Sequence, residues 1–357
     1  MEVVHFGIDD PRWREALGRL RHDFYHLPEY AKLEGKTNDA HPLAFSAIEG
    51  DCELFAPYLL RRCDHLFPEA GIGDRVRDVV SPYGYPGFLL SDSARNSAEF
   101  CGEALQRMAD SFRERGVCSA FFRMNSLLSE RFAILFPPDL LSPASDTIAI
   151  DLALEAEVIW ENIRHGHQWV INKCKKLGYE PRMVALSEYV DAFMEVYQET
   201  MDRVKARDNY YFGRDYFELL AAVPAHVHCC LVEFEGEVAA ACVFFECSGI
   251  VQAHLGGTRS KFMKQSPFHL VLHHAAGWAK ARGNRYFHLG GGVGGSGDRL
   301  LEFKRGFSEL TFPFHTLRLI TDEAKYRELT ALRAQAANLP AGELFQTEYF
   351  PAYRAPH

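Results

Sequence analysis

The sequence has no uncharged apolar run long enough to cross a bilayer, which takes roughly 20 residues as an α-helix. None of its nine cysteines forms a C-x-x-C pair, so paired-thiolate zinc and redox motifs are excluded. Cys229, Cys230 and Cys242 sit in apolar, strand-like runs and read as reduced, buried thiols. A basic surplus is missing too. The 39 Lys and Arg stand against 48 Asp and Glu, a formal charge of −9, which opposes a broad nucleic-acid surface and allows only a local basic patch. MEVVHFGIDDPRW has no basic start followed by an apolar core, so a cytoplasmic chain without integral membrane contact is expected. His269 and His273 share a helix face, with His274 beside them, but H-E-x-x-H is absent and no metal site is expected.

Of the 357 residues, 47% are apolar and 24% charged, enough to fill ordinary cores, and the length favours two domains over one. Pro11 suits the first turn of a short helix at 10–20, followed by DFYHLPEYAKLEG. Residues 43–48 and 52–60 read as strands around the turn tripeptide Glu49-Gly50-Asp51. In SPYGYPG, residues 81–87, two prolines and two glycines forbid a regular helix, and Tyr83 and Tyr85 serve either as a packed turn or as a cleft wall. Residues 97–116 are helical by periodicity and 120–124 form a strand. A second unit opens at TIAIDL, and 155–178 reads as one helix with a basic second half. Between 160 and 186, Arg164, Lys173, Lys175, Lys176 and Arg182 outnumber Glu161 and Glu180, as a solvated face or a phosphate-facing patch. Residues 187–200 continue as an amphipathic helix. Arg203, Arg207, Tyr210 and Tyr211 then mix charge with aromatics, as an anionic or sugar-bearing substrate would require, or as ordinary packing would. Strands at 227–234 and 238–246 make a hairpin, and 250–255 follows as a strand. Beyond a strand at 317–320 and a helix at 322–337, Phe345, Tyr349, Phe350 and Tyr353 are too many aromatics for a free tail.

The chain is organised around residues 254–307, HLGGTRSKFMKQSPFHLVLHHAAGWAKARGNRYFHLGGGVGGSGDRLLEFKRGF. Pro267 suits a first helical turn, a broad apolar face runs to Gly283, and a strand at 285–289 enters a glycine run from Gly290 to Gly297. No Lys-Ser/Thr follows that run and no helix clearly starts there, which argues against a P-loop.

This order of strand, helix, strand and glycine loop resembles the acyl-CoA N-acetyltransferase (GNAT) fold. It is closer still to the double-GNAT FemAB family, typified by the FemA, FemB and FemX aminoacyltransferases. LGGT at 255–258, WAKARG, YFHLGGG, FKRGF at 303–307, YQETMDRVKARDNYYFGRDYF from Tyr197 and SPYGYPG carry the resemblance, which covers nearly the whole chain. It implies an α/β chain of two GNAT-like domains, 1–146 and 147–357. It also implies an N-acyltransferase with no tightly bound cofactor, an aminoacyl-tRNA donor, and an amine acceptor such as a peptidoglycan precursor or peptide-like metabolite. An acyl-CoA or acyl-carrier-protein dependent enzyme acting on an amino sugar or small amine is the alternative. A non-catalytic scaffold is a third reading.

Aminoacyl transfer needs a neutral amine and stabilisation of the oxyanion that forms on the ester carbonyl. Lys304 is the first candidate cation, by resemblance to the FemX group, with Arg305 one residue away and Phe303 anchoring the segment. His288 stands where family members often carry Asp, and is either a proton acceptor or a structural histidine. Asp298 is a candidate for orienting the acceptor amine. CoA-using GNAT chains begin the central helix with Q/R-x-x-G-x-G/A, whose free amides hold a pyrophosphate. Here the positions read QSPFHL, with Phe268 and Leu270 in place of the glycines and Pro267 removing one donor. Titration calorimetry with acetyl-CoA is therefore expected to show no tight binding at residues 265–270. Tight, pyrophosphate-dependent binding there would reverse the ranking of donors.

Overall fold

The structure is a computed structural model and describes residues 1–70, 72, 76–129, 131–292, 298–345, 347 and 349–356. Positions 293–297 of the glycine run and the side chain of Phe345 lie outside the described residues. The chain forms two compact units, Met1–Ala144 with Phe314–His357, and Ser145–Pro313.

The first unit opens with strand β1 (Glu2–Gly7), helices α1 (Pro11–Arg19) and α2 (Pro28–Thr37), and strands β2 (His41–Glu49), β3 (Cys52–Arg62), β4 (Arg77–Val80) and β5 (Leu89–Leu90). Helix α3 (Ala98–Glu114), strand β6 (Val117–Arg123) and the single turn α4 (Phe132–Leu135) follow. Strand β7 (Leu141–Asp151) leads into the second unit, with α5 (Ala156–Glu161), α6 (His165–Leu177), β8 (Glu180–Val184), α7 (Val190–Val204) and α8 (Arg214–Ala221). Then come β9 (Val227–Phe234), β10 (Glu237–Cys247), β11 (Ile250–Thr258), α9 (Phe268–Ala281), β12 (Tyr286–Gly290) and α10 (Arg299–Arg305). Strand β13 (Thr311–Ile320) returns to the first unit, which closes with α11 (Glu323–Ala336) and α12 (Ala341–Phe345). Among the described residues no helix is long and apolar enough to cross a membrane.

The two units repeat one strand plan. In the first the order is β1-β2-β3-β4-β6-β13, antiparallel throughout except for the parallel pair β4/β6. In the second it is β8-β9-β10-β11-β12-β7, with β11/β12 as the one parallel pair. A parallel neighbour needs a crossover, which α3 supplies in one unit and α9 in the other. Alternation along β3 serves both faces of the first sheet: Leu54, Ala56 and Tyr58 join the core under α3, while Phe55 packs against Trp13 of α1 at 5.5 Å between ring centres.

Three expectations are corrected. The helix over 155–178 is broken into α5 and α6, because Arg164 is extended and its N–H donates to Gly306 O at 2.9 Å. A helix does start after the glycine run: Asp298 caps α10, accepting from the N–H groups of Leu300 and Leu301. The domain boundary is also not a single cut, since residues 314–357 group with the first unit. Charge and packing explain the last point. Asp78, fully buried on β4, accepts from Arg61 Nε at 2.8 Å, Arg354 Nε at 2.5 Å and Tyr353 OH at 3.1 Å. Around it Tyr326, Leu329 and Tyr353 share a core with Cys63, Phe67 and Cys118.

Burial alone would raise the Asp78 pKa, but Arg61 and Arg354 outweigh it and hold the carboxyl below its ordinary value. The Asp78 contribution to stability is thus present above the unfolded carboxylate value of about 4, and is lost as pH falls through the depressed folded value. Removing one partner of a buried pair costs about 3–5 kcal/mol. Arg354→Met is expected to lower unfolding free energy by that order in denaturant titrations at pH 7, with the deficit shrinking in acid. An unchanged midpoint would mean that the tail is not held by this pair.

Candidate active site

The second unit's site begins at the end of β11, where the chain needs two consecutive glycines. A Cβ on Gly256 would lie 2.7 Å from Ala241 O and 2.8 Å from the Phe268 ring, and one on Gly257 would overlap Thr200 Oγ1. Successive residues face opposite sides of a strand. The LGGT motif thus seats α9 on one face through Phe268 and α7 on the other through Thr200. A register shift between Val243, opposite Leu255, and Phe244, opposite Ala253, makes a local bulge just before the motif.

The entry into α9 departs from an open anion-binding turn. Ser266 takes a φ of +54° and Pro267 has no N–H. The amides of His269 and Leu270 are used by Ser266 O at 3.2 Å and Pro267 O at 2.9 Å, and His269 Nδ1 sits 3.0 Å from Ser266 O. These groups do not form a fan of free donors.

Lys304 turns inward from α10. Its ammonium donates to Gly291 O at 2.5 Å, just beyond β12, while the side chain as a whole keeps part of its surface exposed. Burial lowers its pKa from the ordinary lysine value to about 8, against the opposing pull of Cys242 and Asp298. Because burial pushes the Cys242 thiol well up, that group is neutral at physiological pH, and the opposing charge is the carboxylate of Asp298. Asp298 Oδ1 accepts from Leu300 and Leu301 N–H at 3.0 and 3.1 Å, and the carboxyl packs over Gly292, where a Cβ would overlap it. Arg305 points outward, to Glu302 at 2.8 Å and Asp146 at 3.3 Å.

One residue that fixes this helix was not foreseen. His167 Nε2–H donates to Phe303 O at 2.9 Å, and its ring packs 4.8 Å from Phe307 and 4.4 Å from His269. It occupies the space beside Gly306, where a Cβ would overlap the imidazole. The glycine of FKRGF was the available signal, since a close approach by some side chain explains it.

On the α7 face of the sheet stand Gln252, His254 and His288. His288 is buried, its Nδ1 2.5 Å from Gln252 Oε1, so Nδ1 carries the proton. Tyr216 OH lies 2.9 Å from His254 Nε2, and burial pushes the His254 pKa down to about 3. His288 precedes Gly291 by three residues, which is roughly 10 Å of strand.

The remaining candidates disperse. Arg203 donates to Thr258 O at 3.0 Å and Ser260 Oγ at 3.3 Å, tying α7 to the end of LGGT. Arg207 is exposed, Tyr210 O accepts from Tyr197 OH at 2.8 Å, and Tyr211 OH donates to Asp202 at 3.0 Å. Lys173 lies over the Trp169 ring, Lys175 turns to His273 Nε2 at 3.1 Å, and Lys176 is exposed. His269 and His273 therefore go to different partners. In the first unit, Glu34 Oε2 accepts from Tyr83 N–H at 3.0 Å, Tyr30 OH donates to Tyr83 O at 3.1 Å and Asn125 donates to Tyr85 O at 2.8 Å. Both tyrosines of SPYGYPG are half-buried. Burial raises the pKa of Glu34, which sits beneath this loop.

Residues 164–305 match a family described as an acetyltransferase (GNAT) domain. No curated protein sequence matches this chain. Among solved structures, FemX superposes with a TM-score of 0.68 at 11% identity, covering 92% of this chain and 99% of its own. The C-terminal domain of a putative lysylphosphatidylglycerol synthetase from Agrobacterium fabrum gives 0.54 at 13% identity, over 88% of this chain and 92% of its own. An L-PGS from Bacillus licheniformis gives 0.54 at 13% identity, over 89% and 93%. At these identities the likeness is one of fold. The chain is a mixed α/β protein with a FemX-like, tandem GNAT-type fold, and its acetyltransferase-like segment spans the residues from Arg164 to Arg305.

Proposed function

We propose that this chain is an N-acyltransferase that moves an aminoacyl group from aminoacyl-tRNA to the amine of a peptidoglycan precursor or a peptide-like metabolite. The observation that carries the reading is Lys304, a cation drawn out of water at the end of the parallel strand pair, its pKa brought down to about 8. The altered entry to α9 supports an aminoacyl donor over acyl-CoA. The GNAT match over residues 164–305 keeps acyl-CoA or acyl-carrier-protein transfer to an amino sugar or small amine as the second reading.

In the proposed reaction the amine nitrogen attacks the ester carbonyl, the new C–N bond forms, and the carbonyl oxygen gains negative charge that the Lys304 ammonium stabilises. Collapse breaks the C–O bond, and the departing ribose hydroxyl takes up a proton as the amine loses one. His288, buried on the α7 face roughly 10 Å of strand from Gly291, is outside hydrogen-bond reach of an amine beside Lys304 and takes no part in this step. A buried cation favours the developing oxyanion over the neutral ester, so its effect falls on turnover rather than on substrate affinity.

Single-turnover and steady-state assays with charged tRNA and a panel of amine acceptors test this directly. Lys304→Met is expected to lower kcat by about 100- to 1,000-fold with little change in KM, whereas Arg305→Met leaves kcat nearly intact. Retained turnover in Lys304→Met with loss in Arg305→Met would move the role by one residue. Full activity in both would remove the catalytic centre from α10. Turnover with acyl-CoA but with no charged tRNA would establish the second reading.

The pH profile supplies an independent check. Lys304 is protonated below about pH 8, so activity that needs the ammonium declines as pH rises through that value. An alkaline limb near pH 8 is expected in kcat, and Lys304→Arg, which stays charged, is expected to move it upward. A limb unmoved by that substitution would belong to another group.

A further inference from the structure

Away from Lys304, the second unit carries a groove of about 460 Å³ between α5, the middle of α9 and β7, within the range of small-ligand pockets. Its walls are Ile150, Ile159, Ile163, Leu270 and the two indoles Trp160 and Trp278. Among the described residues no carboxylate lines it. The charged groups at its edge are Lys175 and Lys280, and the latter is used in donating to Leu152 O at 3.1 Å and Leu154 O at 2.8 Å. Lys175 reaches over the mouth, its ammonium 3.1 Å from His273 Nε2 and 5.9 Å from the Trp160 ring centre. Burial lowers the pKa of His273 to about 4 and also lowers that of His274, so both rings are neutral near pH 7 and the cation there is the lysine. Apolar surface continues outside, where Leu154 and Val158 are 37% and 39% exposed.

These features select the occupant. A sugar or nucleotide would leave polar groups against isoleucine and indole without partners, at the cost that burying unpaired polar groups carries. A cationic ligand would meet Lys175, and a neutral hydrocarbon would leave it unused. We propose that the groove binds the hydrocarbon chain of a fatty acid, with the carboxylate held by Lys175 at the rim. The site is separate from Lys304 and does not depend on which acyl donor the chain uses.

The groove walls contain their own reporters, because bromine on an acyl chain quenches indole fluorescence on contact. Titration of the full chain with 9,10-dibromostearate, below its aggregation concentration, is expected to quench emission saturably, and Trp278→Phe is expected to reduce the quenched amplitude. Gly277 lines the groove, and a Cβ there meets no atom within 4 Å, so Gly277→Leu adds bulk at the groove with no clash at its Cβ. That variant is expected to keep its melting temperature and lose the quenching. Lys175→Gln is expected to weaken the brominated acid by about tenfold while leaving the brominated methyl ester unchanged, as loss of one charge-assisted bond requires. Absence of saturable quenching overturns the proposal, as does quenching that persists in Gly277→Leu. Equal binding of acid and ester in the unsubstituted chain overturns it as well. A dimer in gel filtration that Gly277→Leu dissociates would show that a second copy covers the groove, and would overturn it too.

Discussion

The second unit depends on one close approach. At Gly256 and Gly257 the backbone of β11 is pressed between the Phe268 ring on one side and the Thr200 hydroxyl on the other, at separations that no side chain would permit. Thr200 Oγ1 also receives the Thr258 N–H at 3.2 Å, and Arg203 donates to Thr258 O, so α7 is bonded to the same few atoms that α9 rests on. With both helices referenced to the strand end, the crossover through α9 delivers β12 parallel to β11, and β12 delivers Gly291 O to Lys304. Phe268 occupies the helix entry in the same arrangement. Filling that position with an aromatic ring and supporting it on a glycine are two halves of one packing decision.

A lysine ammonium is costly to bury without a partner, and the surroundings of Lys304 supply limited compensation. One carbonyl accepts from it, while Asp298 is already engaged in capping α10. Burial outweighing these partners lowers its pKa to about 8. His167 holds the backbone of Phe303 in place, so the position of the ammonium is set by helix placement rather than by a second ion pair.

Much of this was legible in the sequence because the signals were local. The apolar stripe of α9, the hairpins around Gly50 and Gly236, and the β-type run before Gly290 each follow from residues close in the chain. The fold implied by resemblance is the fold found. What escaped was set by distant partners. Asp298 resembled a free carboxylate because the donors it caps lie in a helix too short for a periodic pattern. The break between α5 and α6 is imposed by Gly306 O, more than 140 positions away. Arg203, which composition leaves between substrate contact and ordinary packing, bonds to the LGGT end. His167 lacked any local pattern, and only the glycine opposite it hinted that a ring belonged there.

The late return of β13 to the first unit has a consequence for how the chain comes into being. The second unit's β7 directly precedes its helices, whereas the first unit completes its sheet only with β13, which follows the whole second unit and pairs with β6 through Thr316–Ile320 against Ser119–Arg123. At elongation rates of about 5–20 residues per second, β6 waits roughly 10–40 s for its neighbour. By then every strand of the inner unit has been made. The part synthesised first is thus the part finished last, and its open sheet edge is shielded during translation only by whatever meets the nascent chain.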